Sequence, residues 1–299
     1  MHTARQSMSS LIPAVFAVLR CLPLRLLHLL GAGVGWLAWW LSPGLRKRTL
    51  ENLALAFPQG VPSGLARRAT VDAGRALLEL PWLWSRPIED VAARVTEQEG
   101  YERVEAVRAE GRAILLLTPH LGCFEAAAQH YGTRYPITVL YRRPKLDVLA
   151  PIMESGRLRG LMKAAPADAS GVRQMLKALK RGEAVGMLPD QVPQFGEGVW
   201  APFFGRPAYS MTLAARMAEV KDVHVFMAYA ARLPGARYRL VIRDLGRPLS
   251  GTPEQRVAQI NAELEALIRE CPDQYLWSYN RYKRPAGVPP PGAVVSADA

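Results

Sequence analysis

Residues 113–130, AILLLTPHLGCFEAAAQH, decide what kind of fold this chain builds. A short, unbroken apolar run, Ala113 to Leu117, reads as a strand buried on both faces. Pro119 removes a backbone donor and stops regular pairing. Gly122 permits a close backbone approach, and LGCFEAAAQHYG then begins a helix. A strand–turn–helix unit sets His120 at the strand's carboxyl end, where ligands of α/β sheets usually bind. Were the whole stretch helical, His120 and Glu125 would diverge by about 140°, at about 100° per residue. With His120 outside the helix and Glu125 in its first turns, the two side chains can meet. A carboxylate on one imidazole nitrogen raises the basicity of the other, which gives a general base for a hydroxyl. Chance produces many His-x4-Glu pairs, so the neighbours must carry the argument.

Those neighbours continue the same pattern. PITVLYR (136–142) and AVGMLP (184–189) read as further strands, and DVHVFMAYA with YRLVIRDL as an antiparallel pair joined by RLPGAR. SGLARRATVDAGRALLELPWLW has helical spacing, ERVEAVRAEG is a helix ended by Gly111, and Thr252 with Glu254–Gln255 suits a capped start for the terminal helix. The class is α/β, a mixed sheet with helices on both faces. Arg142 and Arg143 follow one strand, and Asp190 and Gln191 another, all at the edge that carries His120. Arg157 and Arg159 add a second basic cluster. Guanidinium forks suit phosphate, although clustered arginines are commonly a solvated face. Trp200, Phe203 and Phe204 fall in a Gly-bounded loop and serve either an acyl chain or core packing. His130 is expected on the surface.

Lys and Arg number 38 against 26 acidic residues, a surplus of +12 that calls for an anionic partner. No nucleic-acid recognition motif accompanies it, so nucleic acid is not expected. Cys21, Cys123 and Cys271 are scattered without a C-x-x-C, and one His with one Glu supplies too few ligands for a metal. Neither a G-x-S-x-G elbow nor a G-x-x-x-x-G-K-[ST] loop occurs.

The first fifty residues hold six Arg or Lys and no acid. Within them LLHLLGAGVGWLAWWL (26–41) is free of Asp, Glu, Lys and Arg, but its 16 residues fall short of the roughly 20 a perpendicular span needs. Trp36, Trp39 and Trp40 beside Arg46, Lys47 and Arg48 suit a membrane interface. The segment reads as a retained anchor, a tilted span or a helix in the headgroup layer, against the alternative of a buried first helix. If it spans, the basic cluster sets everything downstream in the cytoplasm. The expected organisation is an anchor over 1–45, one domain over 46–285 and a disordered, Pro- and Gly-rich tail over 286–299.

With PHLGCFE, YRRPK, GRLRG, LPDQVP, APFFGRPA and DQYLWSYNRYKRP in that order, nearly the whole chain resembles the lipid A biosynthesis lauroyl/myristoyl acyltransferases. The resemblance implies a glycerol-3-phosphate acyltransferase-like fold and a His-x4-Asp/Glu dyad. His120 would be the base and Glu125 its orienting carboxylate. Arg142, Arg143, Arg157, Arg159, Asp190 and Gln191 would meet substrate. It further implies an acyl-acyl carrier protein donor and a phosphorylated, Kdo-bearing glycolipid acceptor at the cytoplasmic side of the inner membrane, with no cofactor. A lysophospholipid or phosphatidylinositol mannoside acceptor, or a non-catalytic binding module, are the alternatives. Where relatives commonly read Trp-x-His-Arg-Arg-Phe-Lys, this chain has Trp277-Ser-Tyr-Asn-Arg-Tyr-Lys283.

Overall fold

The computed structural model describes residues 12–142, 144, 148 and 150–292. Arg143 and the last seven residues of the expected tail therefore lie outside the described residues. After a helical turn region at 12–19 come α1 (Leu24–Leu41), α2 (Pro43–Ala56), α3 (Leu65–Leu83) and α4 (Ile88–Ala92). Then follow β1 (Val95–Glu99), α5 (Tyr101–Ala109), β2 (Ala113–Leu117), α6 (Phe124–Gly132), β3 (Ile137–Tyr141), α7 (Ala150–Arg157), β4 (Met162–Pro166) and α8 (Ala169–Lys180). The chain continues through β5 (Ala184–Met187), β6 (Gly198–Phe203), β7 (Arg206–Met211), α9 (Leu213–Ala218), β8 (Val223–Leu233), β9 (Arg237–Asp244) and α10 (Pro253–Glu270).

Seven strands form one mixed sheet in the order β1-β9-β8-β2-β5-β3-β4. Only the β8–β9 hairpin pairs antiparallel among them. β5 and β8 pair both edges of β2, and helices cover both faces of the sheet, so all five residues of β2 are buried. Its side chains alternate between two cores. Leu115 and Leu117 join Met175 of α8, Met217 of α9 and Ile260 of α10 on one face. Ile114 and Leu116 join Val104 of α5 and Ala126 of α6 on the other. The α/β architecture expected from the sequence is thus present, and α10 starts on a capping box. Its Thr252 hydroxyl accepts from Gln255 N, and the Gln255 side chain accepts from Thr252 N at 2.8 Å.

Three elements differ from expectation. The aromatic loop around Phe203 is a two-stranded antiparallel hairpin, β6–β7, packed against α10. The tail is not structureless where it is described: Val288 is buried with Val192 and Tyr209, and Pro289 O accepts from the Trp200 indole at 2.9 Å. The apolar N-terminal helix is not detached from the domain.

That helix, α1, lies against α3 with the two backbones in contact. A Cβ on Gly31 would stand 2.6 Å from Gly74 O, and one on Gly35 would stand 2.4 Å from Thr70 O. On the facing helix, a Cβ at Gly74 would meet Gly31 O at 2.1 Å. Only glycine allows that approach. One turn along, His28 Nε2 sits 2.8 Å from a buried oxygen of Glu79 on α3. The Gly74→Val variant should therefore lose the α1–α3 packing. Overpacking of this kind costs about 1–3 kcal/mol. Limited proteolysis should then cut between residues 22 and 57 far faster than in the parent; equal protection of that segment contradicts the account.

Candidate active site

His120 and Asp190 meet because β2 and β5 are neighbours although two strands separate them in sequence. Leu117 is level with Met187 in the parallel pairing, and Thr118 N bonds to Met187 O at 3.1 Å. The chain leaves both strands at the same edge, three residues before each side chain. There Asp190 Oδ1 lies 2.7 Å from His120 Nδ1, and Asp190 Oδ2 accepts from the His120 backbone N–H at 2.9 Å. Gln191 Nε2 stands 3.0 Å from the other ring nitrogen, His120 Nε2. Asp190 is buried, and its carboxylate can only accept, so the proton belongs on Nδ1 and the free lone pair on Nε2. Burial alone would push the Asp190 carboxyl up, but the electrostatic attraction of the His120 ring and the two hydrogen bonds from His120 hold it below the ordinary range.

The carboxylate on His120 is therefore Asp190, not Glu125 as the five-residue spacing suggested. Glu125 is buried in the first turn of α6 and turned to Arg157, from which it accepts two hydrogen bonds, one of them from Nε at 2.8 Å. The Arg157 guanidinium lies over the Trp84 and Tyr141 rings at 5.8 and 5.9 Å. Its cation is thereby held in place, lining the same cavity as His120, rather than left on a solvated face.

The other arginines separate by role. Arg159 spends its donors on backbone carbonyls of Gly156, Arg86 and Leu83 and on Gln129, and so clamps the end of α3 instead of facing the cleft. Arg142 is half exposed and loosely paired to Glu197 at 3.6 Å. Asp190, expected at the substrate, is committed to His120. Phe203 and Phe204 are core residues stacked toward Trp277, and Trp200 packs on Tyr209. None of these three lines the cleft, so an acyl-chain loop is not found there. His130 is buried against the Tyr101 ring at 5.4 Å, not on the surface, and burial lowers its imidazole below the ordinary value.

Behind His120 opens a cavity of about 430 Å³ between the sheet and helices α5 to α7. Its mouth carries His120, Gln191, Arg142, Glu125 and Arg157. From there it runs under the sheet to Ile137 and Met162, the first residues of β3 and β4. The channel exists because small residues face it: Gly186 in β5, Ala127 and Ala128 in α6, and Ala228 in β8. A Cβ at Gly186 would already stand 3.3 Å from Ile137 and Val139. No group of three His, Cys, Asp or Glu able to hold a metal occurs among the described residues.

The turn bearing His120 is held from below by a buried ionic network that the sequence did not disclose. Arg232 of β8 bonds Asp72 Oδ2 at 2.6 Å, Glu79 Oε1 through Nε at 3.0 Å, and the carbonyl of Gly122 at 2.9 Å. Tyr238 Oη donates to Glu79 at 2.9 Å. Gly122, at φ +59°, has no room for a Cβ, which would stand 2.1 Å from Ala230 O. Burial would raise the Glu79 carboxyl, but Arg232 and the hydrogen bond from His28 bring it down to about 2. From the C-terminal side, Leu276 N bonds His120 O and Gly122 N bonds Gln274 O, so DQYLWSYNRYKRP backs the turn. Asn52 ties that segment to α2 through the Trp277 and Tyr279 carbonyls.

Comparison with known proteins places the chain in context. Residues 1–284 match the family described as bacterial lipid A biosynthesis acyltransferase. The chain is 31% identical over 278 residues to a lipid A biosynthesis lauroyltransferase of Escherichia coli (strain K12), covering 90% of this chain and 89% of that one. It is 27% identical to the lipid A biosynthesis palmitoleoyltransferase of the same organism, with 89% and 88% covered. A lipid A biosynthesis acyltransferase of Haemophilus influenzae is 26% identical, with 90% and 88% covered.

Two outcomes follow from the geometry. Asp190→Asn should leave the fold intact by circular dichroism and reduce turnover about 10²–10⁴-fold, the range for a general base; a parental rate would show that Nδ1 needs no carboxylate. Glu79→Gln, which takes one of two carboxylates from Arg232 and leaves it Asp72, should cost about 3 kcal/mol at pH 7 in urea unfolding, the lower end for breaking a buried pair. Because the folded carboxyl titrates below its ordinary 4.5, the stabilisation is complete above pH 4.5 and fades toward about 2. The gap between variant and parent should close over that window.

Proposed function

The chain belongs to the bacterial lipid A biosynthesis acyltransferase family, and from that premise we propose how it carries out acyl transfer in lipid A biosynthesis. His120 is the general base. Its Nε2 takes the proton from an acceptor hydroxyl as that oxygen attacks the thioester carbonyl of an acyl-acyl carrier protein. The C–O bond forms, the C–S bond breaks, and the imidazolium returns its proton to the departing thiolate. Asp190 keeps Nδ1 protonated and steadies the positive ring. Gln191, now on Nε2, yields that place to the hydroxyl. The observation that carries this reading is an Nε2 lone pair at the mouth of an apolar cavity, with Nδ1 held by a buried carboxylate.

The cavity is the place for the acyl chain, in the position the hairpin phenylalanines were expected to fill. Arg157, neutralised by Glu125 and fixed between rings, is suited to the developing oxyanion. Arg142, more loosely held and more exposed, is suited to a phosphate of the acceptor. The acceptor is a Kdo-bearing lipid A precursor, met at the cytoplasmic face of the inner membrane, where a soluble thioester and a bilayer-held alcohol come together. A surplus of +12 attracts an acidic carrier protein and speeds encounter at low salt.

The test is a purified-enzyme assay with a tetra-acylated, Kdo-bearing precursor and a panel of acyl-acyl carrier protein thioesters. His120→Ala should abolish transfer, and Ala128→Phe should shift the preferred donor to shorter chains with little loss on the shortest. Transfer to a lysophospholipid but not to the precursor would overturn the acceptor. Full activity of His120→Ala would overturn the mechanism, and an unchanged chain preference in Ala128→Phe would remove the chain from this cavity.

A further inference from the structure

Helix α1 has the length and composition to cross a membrane, with mean hydropathy 1.3 over its 18 residues. What it touches argues against a crossing. Leu24, Leu27, Gly31 and Gly35 are buried on one side, against α3 and the core of the cavity face. The opposite side carries Leu26, Leu29, Leu30, Trp36, Leu37 and Trp40, all exposed. At about 100° per residue these six fall within an arc of roughly 120°. Leu29 is 70% and Trp40 53% exposed, a contiguous apolar strip of the kind that marks an interaction surface.

Both ends of α1 are fastened to the same domain. Before it, Phe16 stacks on Trp84 at 6.3 Å and Leu19 and Leu22 pack on the cavity-side core, and in its first turn Arg25 bonds Gly235 O in the β8–β9 turn at 3.2 Å. After it, α2 is pinned by Asn52 to the Trp277 and Tyr279 carbonyls. A span of about 27 Å, at 1.5 Å per residue, would put those anchor points on opposite sides of the hydrocarbon layer. It would also draw Arg67, Arg68 and Arg75 of the adjoining α3 into lipid. A helix lying flat needs neither. Exposed Arg20, Arg25, Lys47 and Arg48 flank the strip at its two ends and complement anionic headgroups.

We infer that α1 is a monotopic membrane-docking helix: it clasps α3 with its glycine side and immerses its Leu/Trp side in a bilayer surface that contains anionic phospholipid. It does not cross. The chain enters and leaves α1 on the face of the bilayer where the active site stands. This goes beyond the acyl-transfer reading and does not need its chemistry.

The experiment reads depth without substrate. Full-length protein with Cys21→Ser, Cys123→Ala and Cys271→Ser carries one nitroxide at a time at Leu26→Cys, Gly33→Cys, Leu37→Cys or Leu41→Cys. It is bound to vesicles of phosphatidylethanolamine and phosphatidylglycerol, and depth is measured by power-saturation electron paramagnetic resonance. The expected result is one shallow depth, about 5–10 Å below the headgroups, at all four positions. A maximum at Gly33 with both ends near the surface, a steady gradient along the helix, or no immersion anywhere would each overturn the inference. Should the cysteine replacements prevent folding, the parent and Leu29→Glu/Leu37→Glu are compared by flotation on the same vesicles. The double variant should lose membrane recovery at least tenfold with an unchanged circular dichroism spectrum, and parental recovery would overturn the docking face. Acyl transfer to a detergent-dispersed acceptor is measured alongside, so failure of docking and failure of the catalytic reading are told apart.

Discussion

A hydrogen bond of 2.7 Å between the imidazole of His120 and the carboxylate of Asp190 fixes much of what this chain can do. It can form only if β2 and β5 lie side by side and end level, which is what the Leu117–Met187 register provides. The bond then sets both the imidazole tautomer and the ring orientation, and so leaves Nε2 as the unprotonated nitrogen on the cavity side. Sheet order, register and proton position are thus one chain of cause.

The surrounding structure divides its polar groups accordingly. Arg232, Asp72, Glu79 and Tyr238 form a closed, buried network under the turn, reached by His28 from α1. Burying such a cluster is costly unless every member is satisfied. Here one guanidinium answers two carboxylates and a backbone carbonyl of the turn that carries His120. Glu125 and Arg157 make a second, smaller pair at the cavity mouth. The network beneath gives rigidity, and the pair at the mouth presents a fixed cation to whatever enters.

Five of the sheet strands, β2, β3, β5, β8 and β9, were legible as apolar-rich runs, whereas the edge strands β1 (VTEQE) and β4 (MKAAP) were missed because their polar residues leave no such run. His120 was legible because it follows one of the five. Asp190 could be assigned to the same edge but not to its partner, since the neighbour relation of β2 and β5 skips over β3 and β4 and leaves no local mark. Glu125 looked nearer to His120 because sequence spacing ignores what α7 brings back, namely Arg157. The β6–β7 hairpin was missed because GVWAPF and RPAYSM show no clean alternation of apolar and polar residues and each contains a proline, which weakens a strand reading. At its turn Phe204 takes a positive φ of 46°. Arg159 and Arg157 stand two apart and look equivalent in sequence, yet one faces the cleft and the other caps a helix end.

The clasp made by Val288 carries a practical consequence. Val192, against which it packs, is the residue next to Gln191 and is itself bonded through its N–H to the Tyr279 hydroxyl at 3.0 Å. The loop that carries Asp190 and Gln191 is therefore braced from outside by the segment around Val288. Removing the Val288 side chain takes away that brace.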